Sequence, residues 1–209
     1  MQLLFLSKQV TILNHRSFKA ELGSYMSLFE TLLARKSHNK LVAPAPTKEQ
    51  VTELMKFALR APDHALLKPW RYQVYSGDSL NQLGEFFADA SKLEEPDIGA
   101  EKLEKLRKKP LRAPMVIIAS VDIKEHPKVP EIEQFLSAGA SAQNLLVGAH
   151  LMNIGAIWRT GSLCFNRYLM DLLGLNSNES LVGFIYLGTE EGDKKQPVFV
   201  DQDEFVTWK

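Results

Sequence analysis

The chain has 209 residues, 45% of them apolar and 24% charged, and its 25 cationic side chains are matched by 25 acidic ones. That size and balance suit one domain with a substantial core, and zero net charge gives no global reason to expect a nucleic-acid or membrane partner. A lone cysteine, Cys164, excludes an intrachain disulfide and any paired-cysteine metal motif, which fits a reduced, cytoplasmic setting.

Residues 1–25 carry no clear hydrophobic period and no signal-peptide pattern, and no run reaches the roughly 18 apolar residues of a membrane span. They are expected to form an N-terminal extension, with a single domain and its C-terminal arm over 26–209. A helix is expected over 27–36, capped by Ser27 and closed by the cationic cluster RKSHNK; VAPAP at 42–46 then reads as an extended linker. Thr47 and Gln50 have capping-box spacing, and Val51, Leu54, Met55 and Ala58 follow at i, i+3, i+4 and i+7, which predicts a helix. A strand is expected over 70–75 and a helix over 79–91. The charged stretch 92–112 has few apolar anchors and predicts a solvated helix or an excursion.

PMVIIASVD (114–122) is a continuous apolar run and predicts a buried strand. Residues 131–152, after Pro130, form the longest helical pattern. Its middle, SAGASAQNLLVGAHL, is small and apolar nearly all round, which predicts a central helix, part of it at a dimer interface. NIGAIWRTG (153–161) is expected to turn at Gly155 and enter a short strand. A helix over 165–173 closed by Gly174, a buried strand over 181–188 and a polar tail containing PVFVD and FVTW complete the chain. Few strands, interleaved helices and short connections argue for one α+β domain with helices packed on a small sheet.

Several chemistries lack their signatures. There is no G-x-S-x-G elbow, no H-x-x-x-H metal spacing, no phosphate-binding lysine loop and no G-x-G-x-x-G. What remains is three polar clusters at element ends: Arg35, Lys36 and Ser37 with Asn39 and Lys40; Arg60, Asp63, His64 and Lys68; and Trp158, Arg159, Thr160 and Gly161. Each has a plainer reading: cations complementing a helix C-terminus, a solvated turn, and a core tryptophan before a surface turn. Together they suit one anionic, planar ligand. Flavin mononucleotide (FMN) fits, with a phosphate for the cations and a ring for apolar walls and backbone donors.

The order of motifs resembles the nitroreductase family of flavin enzymes, in its compact bacterial branch. The segments that carry it are LLARKSHNKLVAPAPT, LRAPDHALLKPWRYQV, KLRKKPLRAPMVI, KVPEIEQFLSAGASAQNLL, GAIWRTG and LVGFIYLGT, spanning residues 28 to 189. The resemblance implies a nitroreductase-like fold with a mostly antiparallel sheet, a homodimer, and FMN at the subunit interface. Arg35, Lys36 and Ser37 fall on the branch's R-R-S, which holds the phosphate and ribityl side. Arg60 and His64 flank the A-P-D-H turn that the partner subunit supplies to the flavin, and Trp158, Arg159 and Thr160 fall on W-R-S. Gly148, Ala149, His150, Leu151, Met152 and Asn153 fall on a stretch that contacts NAD(P) in the branch. Lys68 stands where the family usually has glutamine, and a cation there would raise the flavin potential. The implied activity is FMN-dependent transfer of hydride from NAD(P)H to an electron-poor small molecule such as a nitroaromatic or quinone, with no side chain named as an acid or base. Two other readings stand beside it: a flavin storage or sensing protein without turnover, and a structural dimer without cofactor.

Overall fold

The computed structural model describes residues 30–192 and 200–209. The expected extension over 1–25, the cap at Ser27 and most of PVFVD lie outside the described residues. The chain divides into two units, Met1–Ala34 and Arg35–Lys209. In the first, residues 30–33 are helical and the Ala34 N–H donates to Glu30 O at 2.9 Å. The helix predicted to reach residue 36 therefore ends at 33.

Among its described residues the second unit has five strands: β1 (Leu41–Val42), β2 (Trp70–Ser76), β3 (Met115–Asp122), β4 (Gly155–Arg159) and β5 (Glu179–Glu190). Every described pairing is antiparallel. β5 is the axis: residues 184–187 pair with β3 on one edge and with β4 on the other, β1 joins its C-terminal end, and β2 pairs with β3. β1 occupies the start of the segment expected to be a linker.

The helices α1 (Lys48–Ala58), α2 (Ser79–Glu94), α3 (Ala100–Arg107), α4 (Glu131–Leu151) and α5 (Arg167–Leu172) cover both faces of the sheet. Strand alternation separates two cores. Val116, Ile118, Phe184 and Tyr186 point to the side of α2, α3 and α5, where Phe87 meets Phe184 edge-on at 5.1 Å. Ile117, Ala119, Ile185 and Leu187 point to the side of α1 and α4, against Leu54, Leu145 and Ala149. Two helix layers around one sheet explain why β3 and β5 read as continuous apolar runs rather than alternating ones.

The capping box forms as its spacing predicts: Thr47 Oγ1 accepts from the Gln50 N–H at 3.2 Å, and Gln50 Oε1 accepts from the Thr47 N–H at 2.9 Å. The charged stretch after α2 does contain a solvated helix, α3, pinned by buried Ile98 and Leu106. α2 and α3 approach so closely that a Cβ on Gly84 would lie 2.3 Å from the Arg107 carbonyl oxygen.

α4 is central, as its pattern predicts: Ser137, Ser141, Ala142 and Leu145 are buried, while Ile132 and Leu136, just before the small-residue stretch, stand 62% and 66% exposed. Ser141 fastens α4 to its neighbours: its hydroxyl donates to Ala58 O at 2.8 Å and shares a 2.6 Å bond with the Tyr72 hydroxyl. Both partners lose a bond in Ser141→Ala, which is expected to cost about 1–3 kcal/mol in a urea melt. A wild-type midpoint would show that water replaces it.

Candidate functional site

β4 is an edge strand, and its free edge is where the first cluster arrives. His38 runs alongside it: the His38 N–H donates to Ala156 O at 2.9 Å, and the Ala156 N–H donates to His38 Nδ1 at 3.2 Å. This pairing needs extended chain before it, which is why Arg35, Lys36 and Ser37 are not helical. Ala156 thus turns both backbone groups away from β5. Backbone direction alternates along a strand, so the N–H and C=O of Trp158 point to the same edge, just beyond His38. Thr160 and Gly161 follow, and Gly161 takes φ of +120°, a conformation that other residues rarely adopt.

His38 is buried, and its Nε2 lies 3.3 Å from Glu190 Oε1. Sequence reasoning passed over it inside RKSHNK, because a histidine next to cations has no periodic signature. Around it lies a cavity of about 380 Å³ lined by Ser37, Lys40, Glu190 and Glu191 among others. Lys36 Nζ is 3.2 Å from Glu190 and Lys40 Nζ 3.5 Å from Glu191. Among the described residues, no carboxylate engages Arg35, Ser37 or Asn39 of this cluster.

Trp158 and Arg159 part company at the end of β4, as strand alternation requires. The Trp158 indole lies on the α4 side, where its Nε1 donates to Val182 O at 3.3 Å over Gly183. Arg159 points to the opposite side, with its guanidinium carbon 5.8 Å from the Tyr186 ring centre. Its Nε is sealed from solvent and has no hydrogen-bond partner among the described residues.

Arg60 and His64 border other surfaces. Arg60 is exposed beside Phe57, Asn144 and Val147, on α1 and α4. His64 Nδ1 meets Glu133 Oε2 at 2.6 Å, at the start of α4. No described contact joins either residue to the β4 edge within one chain. The turn that carries them is strained: Ala65, Leu66 and Lys68 have φ of 59°, 54° and 50°, each costing about 1–2 kcal/mol for a residue with a Cβ. Asp63 holds it, its carboxylate accepting from the Lys68 N–H at 2.7 Å, while Arg71 donates to Lys68 O at 2.9 Å. Asp63→Ala is expected to lower stability by about 1–2 kcal/mol and to speed proteolysis within 63–69; unchanged cleavage there would show that Arg71 alone suffices. The Lys68 side chain is exposed.

Residues 148–153 form the end of a helix. The Ile154 N–H donates to Ala149 O at 2.8 Å and the Asn153 N–H to His150 O at 3.1 Å, with Asn153 at φ of 56°. That is a Schellman closure with asparagine in the left-handed position. The turn predicted at Gly155 therefore falls at Met152–Asn153. Gly155 lies inside β4, where a Cβ would meet Leu41 at 2.6 Å. Gly148 and Ala149 are buried against the α1 side.

The comparisons with known proteins agree with this architecture. The family model described as "Nitroreductase family" matches residues 32–189. The chain belongs to the nitroreductase family. It is similar to the Escherichia coli (strain K12) protein named "Putative NAD(P)H nitroreductase YdjA", at 32% identity over 88% of this chain and 100% of that one. A Haemophilus influenzae protein named "Putative NAD(P)H nitroreductase" is 35% identical over 88% of this chain and 100% of its own length. Among solved structures, a nitroreductase-like family protein from Bacillus cereus superposes with a TM-score of 0.76 at 22% identity, covering 87% of this chain and 95% of that one. A Bacteroides fragilis nitroreductase with bound FMN gives a TM-score of 0.66 at 18% identity, covering 87% and 98%. No helix among the described residues is long and apolar enough to cross a membrane.

Proposed function

We propose that this chain is an FMN-dependent NAD(P)H oxidoreductase that reduces electron-poor small molecules such as nitroaromatics or quinones. The observation that carries the reading is the open edge of β4. Outward backbone groups at Trp158 lie next to a cluster, Arg35–Ser37, whose arginine and serine are uncommitted. The edge suits the hydrogen-bonding rim of a flavin ring, and the cluster suits a phosphate. Arg35 supplies charge and two parallel donors, Ser37 a hydroxyl, and His38 fixes the distance between cluster and edge. Lys36 contributes less, because Glu190 already engages it. The Arg159 side chain lies on the other side of the sheet, so Trp158 and Thr160 are the W-R-T members that serve the edge. When bound, FMN supplies two-electron storage between the hydride donor NAD(P)H and the acceptor.

The reading includes a homodimer with the cofactor between subunits and a cytoplasmic setting. Arg60 and His64 are set apart from the β4 edge within one chain, and a second copy is what would bring them to it. The uncovered apolar residues Ile132 and Leu136 on α4 support such a partner surface. The exposed Phe205 and Trp208 of the C-terminal arm support it too. The C-terminal arm would then cross to the partner. Residues 148–153 are the proposed place of NAD(P) contact. Since Gly148 and Ala149 are buried, it would be made through His150 to Asn153.

Stopped-flow mixing of the FMN-loaded protein with NADH or NADPH tests turnover. Prompt loss of flavin absorbance, followed by its return on adding nitrobenzene derivatives or a quinone, is expected. Reduction without acceptor-driven return would favour a storage or sensing protein.

A further inference from the structure

At the end of β4, on the α2 side of the sheet, lies a cavity of about 420 Å³ whose lining also includes Trp158 and Thr160 of the proposed flavin edge. Its walls include Phe87, Phe184 and Tyr186 from the core, and three cations reach it: Lys109 and Arg112 from the turn after α3, and Arg159 from β4. Among the described residues, no acidic side chain lines it. None of the three cations forms an ion pair among the described residues. Two carboxylates in an adjoining cavity that Lys109 and Arg112 also line are engaged elsewhere: Glu94 accepts from Asn166 at 2.7 Å and Glu95 pairs with Lys102 at 2.6 Å.

Gathering three uncompensated cations over a low-dielectric aromatic floor is unfavourable in itself. Burial, then Arg112, then Lys102, hold the Lys109 ammonium below its usual range. Burial pushes the Tyr186 phenol up to about 12, against the opposing pull of Arg112 and Arg159. The Arg159 Nε, sealed and unpartnered, is a donor left without an acceptor. Such groups are rare in folded proteins and point to an unfilled role.

We propose that this cavity binds a small organic anion with a flat apolar body, of the aromatic carboxylate class. The carboxylate would bridge Arg112, Arg159 and Lys109, and the ring would lie against Phe184 and Tyr186. Arginine offers the bidentate fork that carboxylates favour, and its stacking on Tyr186 leaves that fork free at its rim. The site goes beyond the proposed oxidoreductase reaction but borders its flavin edge at Trp158 and Thr160, so it rests on that reading, which places the flavin on the outer edge of β4.

The test is calorimetric titration of the full-length protein with benzoate, with and without saturating FMN. Saturable benzoate binding is expected in both cases, with affinity reduced tenfold or more in Arg112→Gln and in Lys109→Gln, and retained in Lys109→Arg. Neutral benzamide should not bind. Because the cations repel, Lys109→Gln should melt no lower than the parent, so lost binding there cannot be ascribed to unfolding. The proposal is overturned by absence of benzoate binding, or by binding that the two glutamine variants leave intact. It is equally overturned if inorganic phosphate binds as tightly as benzoate, which would make this a bare-anion site. Displacement of benzoate by FMN would overturn it by assigning the cavity to the flavin.

Discussion

Gly183→Ala is expected to be among the most damaging single-methyl changes in the chain. Gly183 follows an irregularity in β5: Ala119 pairs with Gly183 and Ser120 with Leu181, so Val182 is the extra residue. Its φ is +156°, and a Cβ there would lie 2.0 Å from Trp158 Nε1 and 3.0 Å from the Arg159 carbonyl oxygen. The indole of a half-buried tryptophan would have to leave its seat, and with it the hydrogen bond to Val182 O. Overpacking of this kind costs about 1–3 kcal/mol, and the unfavourable backbone adds about 1 kcal/mol. A loss of roughly 2–4 kcal/mol is thus expected in chemical denaturation, together with weaker FMN binding as the end of β4 shifts. A double-mutant cycle separates the causes. In a Trp158→Ala background the clash with the indole should vanish, leaving the unfavourable backbone and the contact with the Arg159 carbonyl oxygen. An undiminished penalty there would mean that the indole is not what Gly183 makes room for.

Arg35→Ala is expected to weaken FMN binding strongly while leaving the fold intact. Arg35 is half-buried, three residues before the His38 that pairs with β4, and has no partner among the described residues, so nothing is left unpaired when it is removed. A charge-assisted bond to an anion contributes about 1.5–3 kcal/mol, hence roughly a 10- to 150-fold rise in Kd. Riboflavin, which has the same ring and no phosphate, should bind parent and variant alike. Lys36→Ala should have a smaller effect, since Glu190 at 3.2 Å already competes for that ammonium. Equal losses for riboflavin and FMN in Arg35→Ala would place Arg35 at the ring, and no loss for either would remove it from the site.

These two residues illustrate what the sequence discloses. Spacing is enough for the capping box at Thr47 and Gln50 and for the buried runs of β3 and β5, because local hydrogen bonding and burial leave periodic marks. The clusters RKS and WRTG are also visible as residue types. Their geometry is not. His38 joins them through a bond to Ala156, a residue 118 positions away, and no local pattern encodes a pairing of that range. Nor does composition reveal that Arg159 turns its back on Trp158. That follows only once β4 is known to pair with β5 in register. The helix α4 closes where its pattern predicts, but the turn after it falls before Gly155: Asn153 takes the left-handed position, and Gly155 makes room for Leu41. Lys109 and Arg112 gave the least warning. In KLRKKPLRAP they read as solvated charge, and only the approach of α3 to Gly84 and the fold of the sheet bring them over Tyr186.

The central claim is that the β4 edge and Arg35–Ser37 hold FMN, and the most direct test is a titration of the purified full-length chain with FMN, followed by quenching of flavin fluorescence. Saturation at one FMN per chain is predicted, with the Kd raised at least about tenfold in Arg35→Ala. Flavin that stays fully fluorescent at every protein concentration would contradict the account.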